Sequence, residues 1–138
     1  MVDSLPPGCT MHQNPVRGDE RGKLVALEGG TSVPFDIARI YYLFDNVPNT
    51  ERGFHAHRAL QQWVICVAGS CKITLDDGTT RGSVMLNSAE IGLHIRPMIW
   101  REINDFSPGT VLLVLADAVY DEADYIRDHA EFLKIACA

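Results

Sequence analysis

The stretch Arg52–Gly69, RGFHAHRALQQWVICVAG, constrains this chain more than any other. It places His55 and His57 two residues apart, then runs through Gln62 into the alternating segment WVICV and on to Gly69. Side chains two apart on a β-strand project from one face, so the two imidazoles point together at whatever lies on that side. Ala68-Gly69-Ser70 reads as a turn into a further strand, CKITLDDG, which ends on an Asp-Gly turn signal. Strand, short loop, strand, turn, strand is the run of an antiparallel sheet, and a paired imidazole face on one of its strands is a chemical feature.

The rest of the chain repeats that texture. Residues 1–15 carry Pro6, Pro7, Gly8, Asn14 and Pro15 without periodicity and are expected to form a mobile lead-in. An apolar run from Leu24 to Leu27, between a charged opening and Gly29-Gly30, predicts a first strand and hairpin. Phe35 to Asp45 predicts the next strand, with Arg39, Tyr41 and Leu43 on one face and Ile40, Tyr42 and Phe44 on the other, so only one of the two tyrosines can face an interior. The segments GSVMLN, EIGLHIRPMIWREIND and GTVLLVLADAVYD follow, with Pro97 marking a strand end. Many short strands separated by turn signals predict a sandwich or barrel. At the end, Asp121 can cap a helix, and Tyr125, Ile126, His129, Phe132 and Leu133 recur at helical spacing, which predicts one amphipathic helix over 121–135.

With 138 residues, 46% of them hydrophobic, the chain suits a single domain over 1–138 with a real core. Its net charge of −6 argues against non-specific binding to nucleic acid or to an anionic membrane surface, and leaves room for a local basic pocket. No apolar run approaches the ~18 residues of a membrane helix. The first twenty residues are polar and proline-rich, unlike a signal peptide, so a cytoplasmic protein is expected. Cys9, Cys66, Cys71 and Cys137 show no C-x-x-C spacing and read as free thiols in a reducing compartment. Trp63 and Trp100 read as core or interface anchors, and His12, His94 and His129 as structural or surface histidines.

H-A-H at the end of one strand, with Gly69 one strand later, resembles the first signature of the cupin superfamily, which are small antiparallel β-barrels. The resemblance implies an all-β fold: a cupin-type barrel or jelly roll with a short C-terminal helix. In that superfamily the first signature gives a metal two histidines and a glutamate, and the second region gives one more histidine. Here Gln62 stands where the glutamate would be and Arg101 where the last histidine would be. A neutral amide is a poor ligand beside a permanent cation, so no metal and no cofactor are expected, which leaves the histidines free for acid–base work.

The phrases RGKLVALE, ARIYYLFD, RGFHAH, LDDG, WREINDFS and YDEADYIR, in that order, resemble the nucleotide-sugar 3,4-ketoisomerases, over roughly residues 17 to 130. Those metal-independent cupins act on a thymidine-diphosphate-linked 4-keto-6-deoxyglucose on the way to 3-amino-3,6-dideoxyhexoses of surface glycans. One departure is visible, because the family pattern has WHE where this chain has Trp100-Arg101-Glu102. The resemblance implies functional roles for His55 and His57, for Tyr41 or Tyr42, and for Arg21-Gly22, a pair similar to that of the group giving the galacto (axial hydroxyl) product.

Moving a ketone from C4 to C3 requires a base for the acidic C3 proton, a proton returned to C4 through an enediol, and a shuttle between O3 and O4. An imidazole suits the first task and a second imidazole or a phenol the other. His57, nearer the strand's continuation into a closed barrel where desolvation keeps an imidazole neutral, is expected to be the C3 base, with His55 and Tyr41 serving the oxygens. Arg21, Arg39, Arg52 and Arg58 are candidates for the diphosphate. Arg21, Gly22, Arg39, Tyr42, Arg52, Gln62 and Arg101 make up the expected substrate-binding set. A cupin 3,5-epimerase, a non-catalytic sugar-nucleotide sensor and a metal-dependent dioxygenase are the rival readings. Small cupins leave strand edges and an apolar face to cover, and the early strands together with the ketoisomerase resemblance imply a homodimer in which N-terminal strands pair across the interface.

Overall fold

The computed structural model describes residues 4–138. Among the described residues twelve strands form: β1 (Cys9–Gln13), β2 (Val16–Asp19), β3 (Gly22–Val25), β4 (Arg39–Leu43), β5 (Arg52–His57), β6 (Gln62–Ala68), β7 (Cys71–Asp76), β8 (Arg81–Leu86), β9 (Ile91–Ile95), β10 (Trp100–Asn104), β11 (Val111–Ala116) and β12 (Tyr125–Ile126). One helix, α1 (His129–Ala136), closes the chain. A five-stranded sheet in the order β1-β9-β6-β11-β4 faces a second in the order β12-β5-β10-β7-β8, and β2-β3 is a separate hairpin. This is the expected all-β, cupin-type architecture with a short C-terminal helix.

Strand β6 explains why the two sheets stay together. From Gln62 to Cys66 it is buried on both faces, so the segment WVICV, expected to alternate, is instead apolar throughout. Val64 and Cys66 enter the core between the sheets with Ile73, Leu75, Leu93, Leu112 and Val114. Trp63 and Ile65 point the other way and are covered by Val33, Phe35 and Leu115. The chain before β4 therefore wraps the outer face of the first sheet. For that reason the strand expected over 35–45 shortens to Arg39–Leu43: Phe35 is spent as a cover for β6 rather than as a ladder residue.

Two expectations are corrected. The lead-in over 1–15 contains β1, which pairs antiparallel with β9 from Cys9↔Ile95 to Gln13↔Ile91; residues 1–3 lie outside the described residues. Thr10, His12 and the exposed flank of β1 are polar because it is an edge strand, and that polarity hid it. The helix expected over 121–135 is three pieces. Glu122–Asp124 makes a single 3₁₀ turn capped by Asp121, Tyr125 and Ile126 pair with His57 and Ala56 as β12, and α1 starts only after Asp128. Asp128 is the stronger cap, its carboxylate accepting from the backbone N–H of both Ala130 and Glu131.

Helix α1 is held by Phe132, which is 0% exposed and packs with Ala56, Trp100 and Ile126. Its first turn is tied down by His129, whose Nε2 lies 3.0 Å from Asp76. Phe132→Ala should therefore cost about 3–5 kcal/mol of stability, read as a fall in the urea midpoint. A loss under about 1 kcal/mol would show that the helix is not part of the cooperative core.

Candidate active site

Strand β5 reaches the site through a bulge. Arg101 of β10 pairs with His55, but its neighbour Glu102 pairs with Gly53, so Phe54 is an extra residue on β5. Gly53 and Phe54 both have positive φ, and a Cβ on Gly53 would come within 2.8 Å of the Arg101 carbonyl oxygen. Only glycine fits there. Beyond the bulge the alternation resumes and His55 and His57 share a face, their ring centroids 4.9 Å apart and edge to face. Tyr125 of β12 lies over both, at 5.0 Å from His55 and 4.5 Å from His57.

A chain of polar groups links the two sheets beside this pair. Arg101, fully buried, donates through one nitrogen to Gln62 Oε1 and through the other to the Ile99 carbonyl oxygen at 2.9 Å. Gln62 Nε2 in turn donates to the Tyr41 hydroxyl at 3.1 Å. Among the described residues no carboxylate pairs with Arg101 and its Nε has no partner. His57 Nδ1 stands 3.1 Å from Asp124, while its Nε2 is buried without a partner.

These groups border a cavity of ≈ 260 Å³ whose polar lining includes Arg39, Arg52, Arg101, Arg127, Tyr41, His55, Gln62 and Tyr125; among the described residues no Asp or Glu lines it. An adjoining cavity of ≈ 250 Å³ shares Arg39 and Tyr125 and is lined by His57 and Asp124. Of the expected set, Tyr41, His55, Gln62, Arg39, Arg52 and Arg101 come together here, and His57, its ring 4.9 Å from that of His55, lines the adjoining cavity. Tyr42 does not: it is 59% exposed on the outer face of β4, as the alternation with Tyr41 requires. Arg21 and Gly22 do not either. They form the tip of the β2-β3 hairpin, where Arg21 pairs with Asp19, and they line a shallow groove outside the cavity. Arg58 pairs with Glu131 at 3.8 Å on the surface.

Asp124, Tyr125 and Arg127 are site residues absent from the expected set, because the spacing of their stretch is helical. Arg127 stacks over Tyr125 at 4.2 Å and is gripped by Glu122 through two nitrogens, at 2.8 and 2.9 Å. A two-residue strand is too short to show a period, and only the motif YDEADYIR carried a signal.

Residues 7–137 match the family described as FdtA: WxcM-like, C-terminal. The chain belongs to this family. It is 47% identical over 116 residues, 84% of each chain, to a TDP-4-oxo-6-deoxy-alpha-D-glucose-3,4-oxoisomerase from Aneurinibacillus thermoaerophilus. Among solved structures, a TDP-quinovose 3,4-ketoisomerase from Campylobacter jejuni matches at 46% identity and TM-score 0.90, covering 94% of this chain and 99% of that one. A mutant 3,4-ketoisomerase from Thermoanaerobacterium thermosaccharolyticum, solved with TDP-4-keto-6-deoxyglucose, matches at 38% and TM-score 0.93, covering 96% of each. A 3'-monoepimerase from Streptomyces bikiniensis stands further off, at 15% identity and TM-score 0.74, a likeness of fold alone.

In this FdtA-family chain the electrostatics are set by burial and Arg101. Burial, and then the Arg101 guanidinium, push the His57 imidazole down to about 2 and that of His55 to about 4. Both rings are neutral at physiological pH. Burial likewise raises the Tyr41 phenol above its ordinary value. The metal set of the cupin superfamily does not fit here, since Gln62 offers an amide and Arg101 a cation hydrogen-bonded to it. Among the described residues no group of three or more His, Cys, Asp or Glu is arranged to hold a metal.

Neutral buried histidines make stability depend on acid. His94, buried on the other side of β6 and hydrogen-bonded to Gln61, is also held down to about 4 by burial and Arg96. In the unfolded chain these rings titrate near 6.5, so between that pH and their folded values the unfolded state binds more protons and stability falls as pH falls. At pH 5 each ring should cost up to about 2 kcal/mol relative to pH 7.5. The urea midpoint should drop over that interval, and a midpoint that stays level would show that the rings are not held neutral.

Proposed function

We propose that the protein is a 3,4-ketoisomerase of a thymidine-diphosphate-linked 4-keto-6-deoxyglucose, producing the 3-keto isomer. The carrying observation is the pair of neutral imidazoles beside a cavity lined by four arginines and no carboxylate. A diphosphate supplies the negative charge that such a lining lacks, and Arg39, Arg52 and Arg127 at the cavity wall suit its oxygens. The named activities of the Aneurinibacillus and Campylobacter relatives support the same substrate class.

His57 takes the C3 proton, which is acidic because it is α to the C4 carbonyl, and the electron pair forms the C3–C4 double bond of an enediolate. Negative charge develops on O4 as this happens. Arg101, a donor with fixed geometry and no counter-ion, stabilises that oxygen through the low-dielectric cavity. His55, with the Tyr41 hydroxyl, moves the O3 proton to O4, and His57 returns its proton to C4. One C–H bond breaks and one forms, one O–H breaks and one forms, and nothing is oxidised overall. Gln62 keeps Arg101 and Tyr41 in place.

Dimerisation is part of this reading. Edge strand β4 exposes Ile40 and Tyr42 on its outer face, followed by Phe44, an apolar patch that a second copy would cover. The four free thiols agree with a reducing, cytoplasmic compartment, and among the described residues no helix is long and apolar enough to cross a membrane.

An NMR time course of the purified protein with the 4-keto sugar nucleotide should show the 3-keto product appear. His57→Asn should lower turnover by about 10²–10⁴-fold and suppress deuterium entry at C3 in D₂O, while His55→Asn slows product formation yet leaves exchange at C3. No turnover by the wild-type protein would sink the enzyme reading. Full turnover by both variants would make the pair structural. Arg21-Gly22, which carries the galacto expectation by resemblance, lies outside the cavity, and the product decides the point: a small H4–H5 coupling marks the axial hydroxyl expected, a large one the equatorial. Turnover should survive dialysis against a chelator, and loss with recovery on adding zinc or manganese would refute the argument from Gln62 and Arg101. Light scattering at micromolar concentration should give twice the chain mass, and a monomer would rule out the dimer.

A further inference from the structure

We propose that Asp124 is the positioning residue of the isomerase, fixing His57 in the tautomer that carries its proton on Nδ1 and so presents a bare Nε2 to the substrate. This inference rests on the ketoisomerase reading above and adds to it a group outside the expected site. Four contacts carry it. Asp124 Oδ2 lies 3.1 Å from His57 Nδ1 and 3.4 Å from the Leu60 backbone nitrogen, Oδ1 accepts from the Ala59 N–H at 2.8 Å, and the Asp124 carbonyl accepts from the Arg58 N–H at 2.9 Å. A carboxylate can only accept, so the ring nitrogen facing it must be the one bearing hydrogen. The other nitrogen then holds a lone pair, and His57 Nε2 is the ring atom left without a partner.

The backbone around Asp124 turns the contact into a constraint. Both carboxylate oxygens are committed to N–H groups of the turn that follows β5, so the carboxylate cannot swing away from the imidazole without stripping two backbone donors. The same turn fixes the end of the strand that carries His57. Asp124 sits on the 3₁₀ turn just before β12, and β12 is ladder-paired to β5 at Tyr125↔His57. Base and orienting group are therefore held by one short antiparallel pairing, with Tyr125 packed on the imidazole at 4.5 Å.

An amide at this position makes a sharp test. In Asp124→Asn the new side chain would have to aim its NH₂ either at the Ala59 N–H or toward Leu60 and His57. The Ala59 contact is the shorter, 2.8 Å against 3.4 Å for Leu60, so the amide keeps its oxygen on Ala59 and gives up the longer contact; its NH₂ then faces His57, whose imidazole can accept by moving its proton to Nε2. In the isomerase, Asp124→Asn should then lower kcat by about 10²-fold or more, with KM within a few-fold of wild type and deuterium entry at C3 suppressed in D₂O. Long-range ¹H–¹⁵N spectra of histidine-labelled protein, with the His57 signals identified by their loss in His57→Gln, should show a protonated Nδ1 and a bare Nε2 in wild type and the reverse in Asp124→Asn. A wild-type spectrum with the proton on Nε2 overturns the proposal, and it can be recorded even if the variant does not fold. Wild-type kcat in the variant overturns it too, as does a fall in kcat with the His57 tautomer unchanged. If wild-type protein turns over no 4-keto sugar nucleotide, the isomerase reading fails, and the spectra still decide the tautomer.

Discussion

Arg101 is a guanidinium sealed between two sheets with only neutral groups to answer it, the Gln62 amide and the Ile99 carbonyl. Taking such a charge out of water costs several kcal/mol, and the rest of the site is arranged around that cost. The amide of Gln62 must turn its oxygen toward Arg101, so its nitrogen faces Tyr41 and fixes the hydroxyl. The imidazoles of His55 and His57 lie within reach of the same cation and are kept uncharged by burial and by that charge together. A glutamate at position 62 would pair with Arg101 and cancel much of the positive potential that the neutral Gln62 amide leaves in the cavity.

Charge is segregated accordingly. The chain as a whole is acidic, at −6, yet four arginines line the cavity and its acidic neighbours stand one layer back. Glu122 grips Arg127 at the surface and Asp124 touches His57 from the adjoining cavity. A positive concavity in a negative molecule focuses field lines into one opening, which favours a doubly charged ligand there and repels it elsewhere.

Much of this was legible in the chain, for reasons that differ from residue to residue. The facing of His55 and His57, and the split between Tyr41 and Tyr42, follow from the two-residue period of a strand, and the bulge at Gly53-Phe54 spares them because it falls before His55. Gln62 and Arg101 could be placed because a known pattern marks their positions. Three things stayed hidden. Strand β1 is a polar edge, so it had no alternation to display. Tyr125 and Ile126 lie at helical spacing from His129 and Phe132, and only pairing with β5, whose His57 meets Asp124 across 67 residues of chain, overrides that local preference. The hairpin that carries Arg21-Gly22 is local in sequence, and nothing in its residues says where it stands relative to the cavity.

The three-part ending of the chain bears on when the site comes into existence. Every strand of the two main sheets except β12 is complete by Ala116, and the hydrophobic core between them uses nothing beyond β11. The wall formed by Tyr125, the carboxylate behind His57 and Arg127 at the cavity edge all arrive after that point. During synthesis the barrel can close while this strap is still emerging, and the chain must then lay residues 124–126 against the free edge of β5 before seating α1 over Trp100. The cavity is therefore walled only after the barrel core can have closed, and fraying of the two-residue pairing between β12 and β5 would open it without disturbing that core.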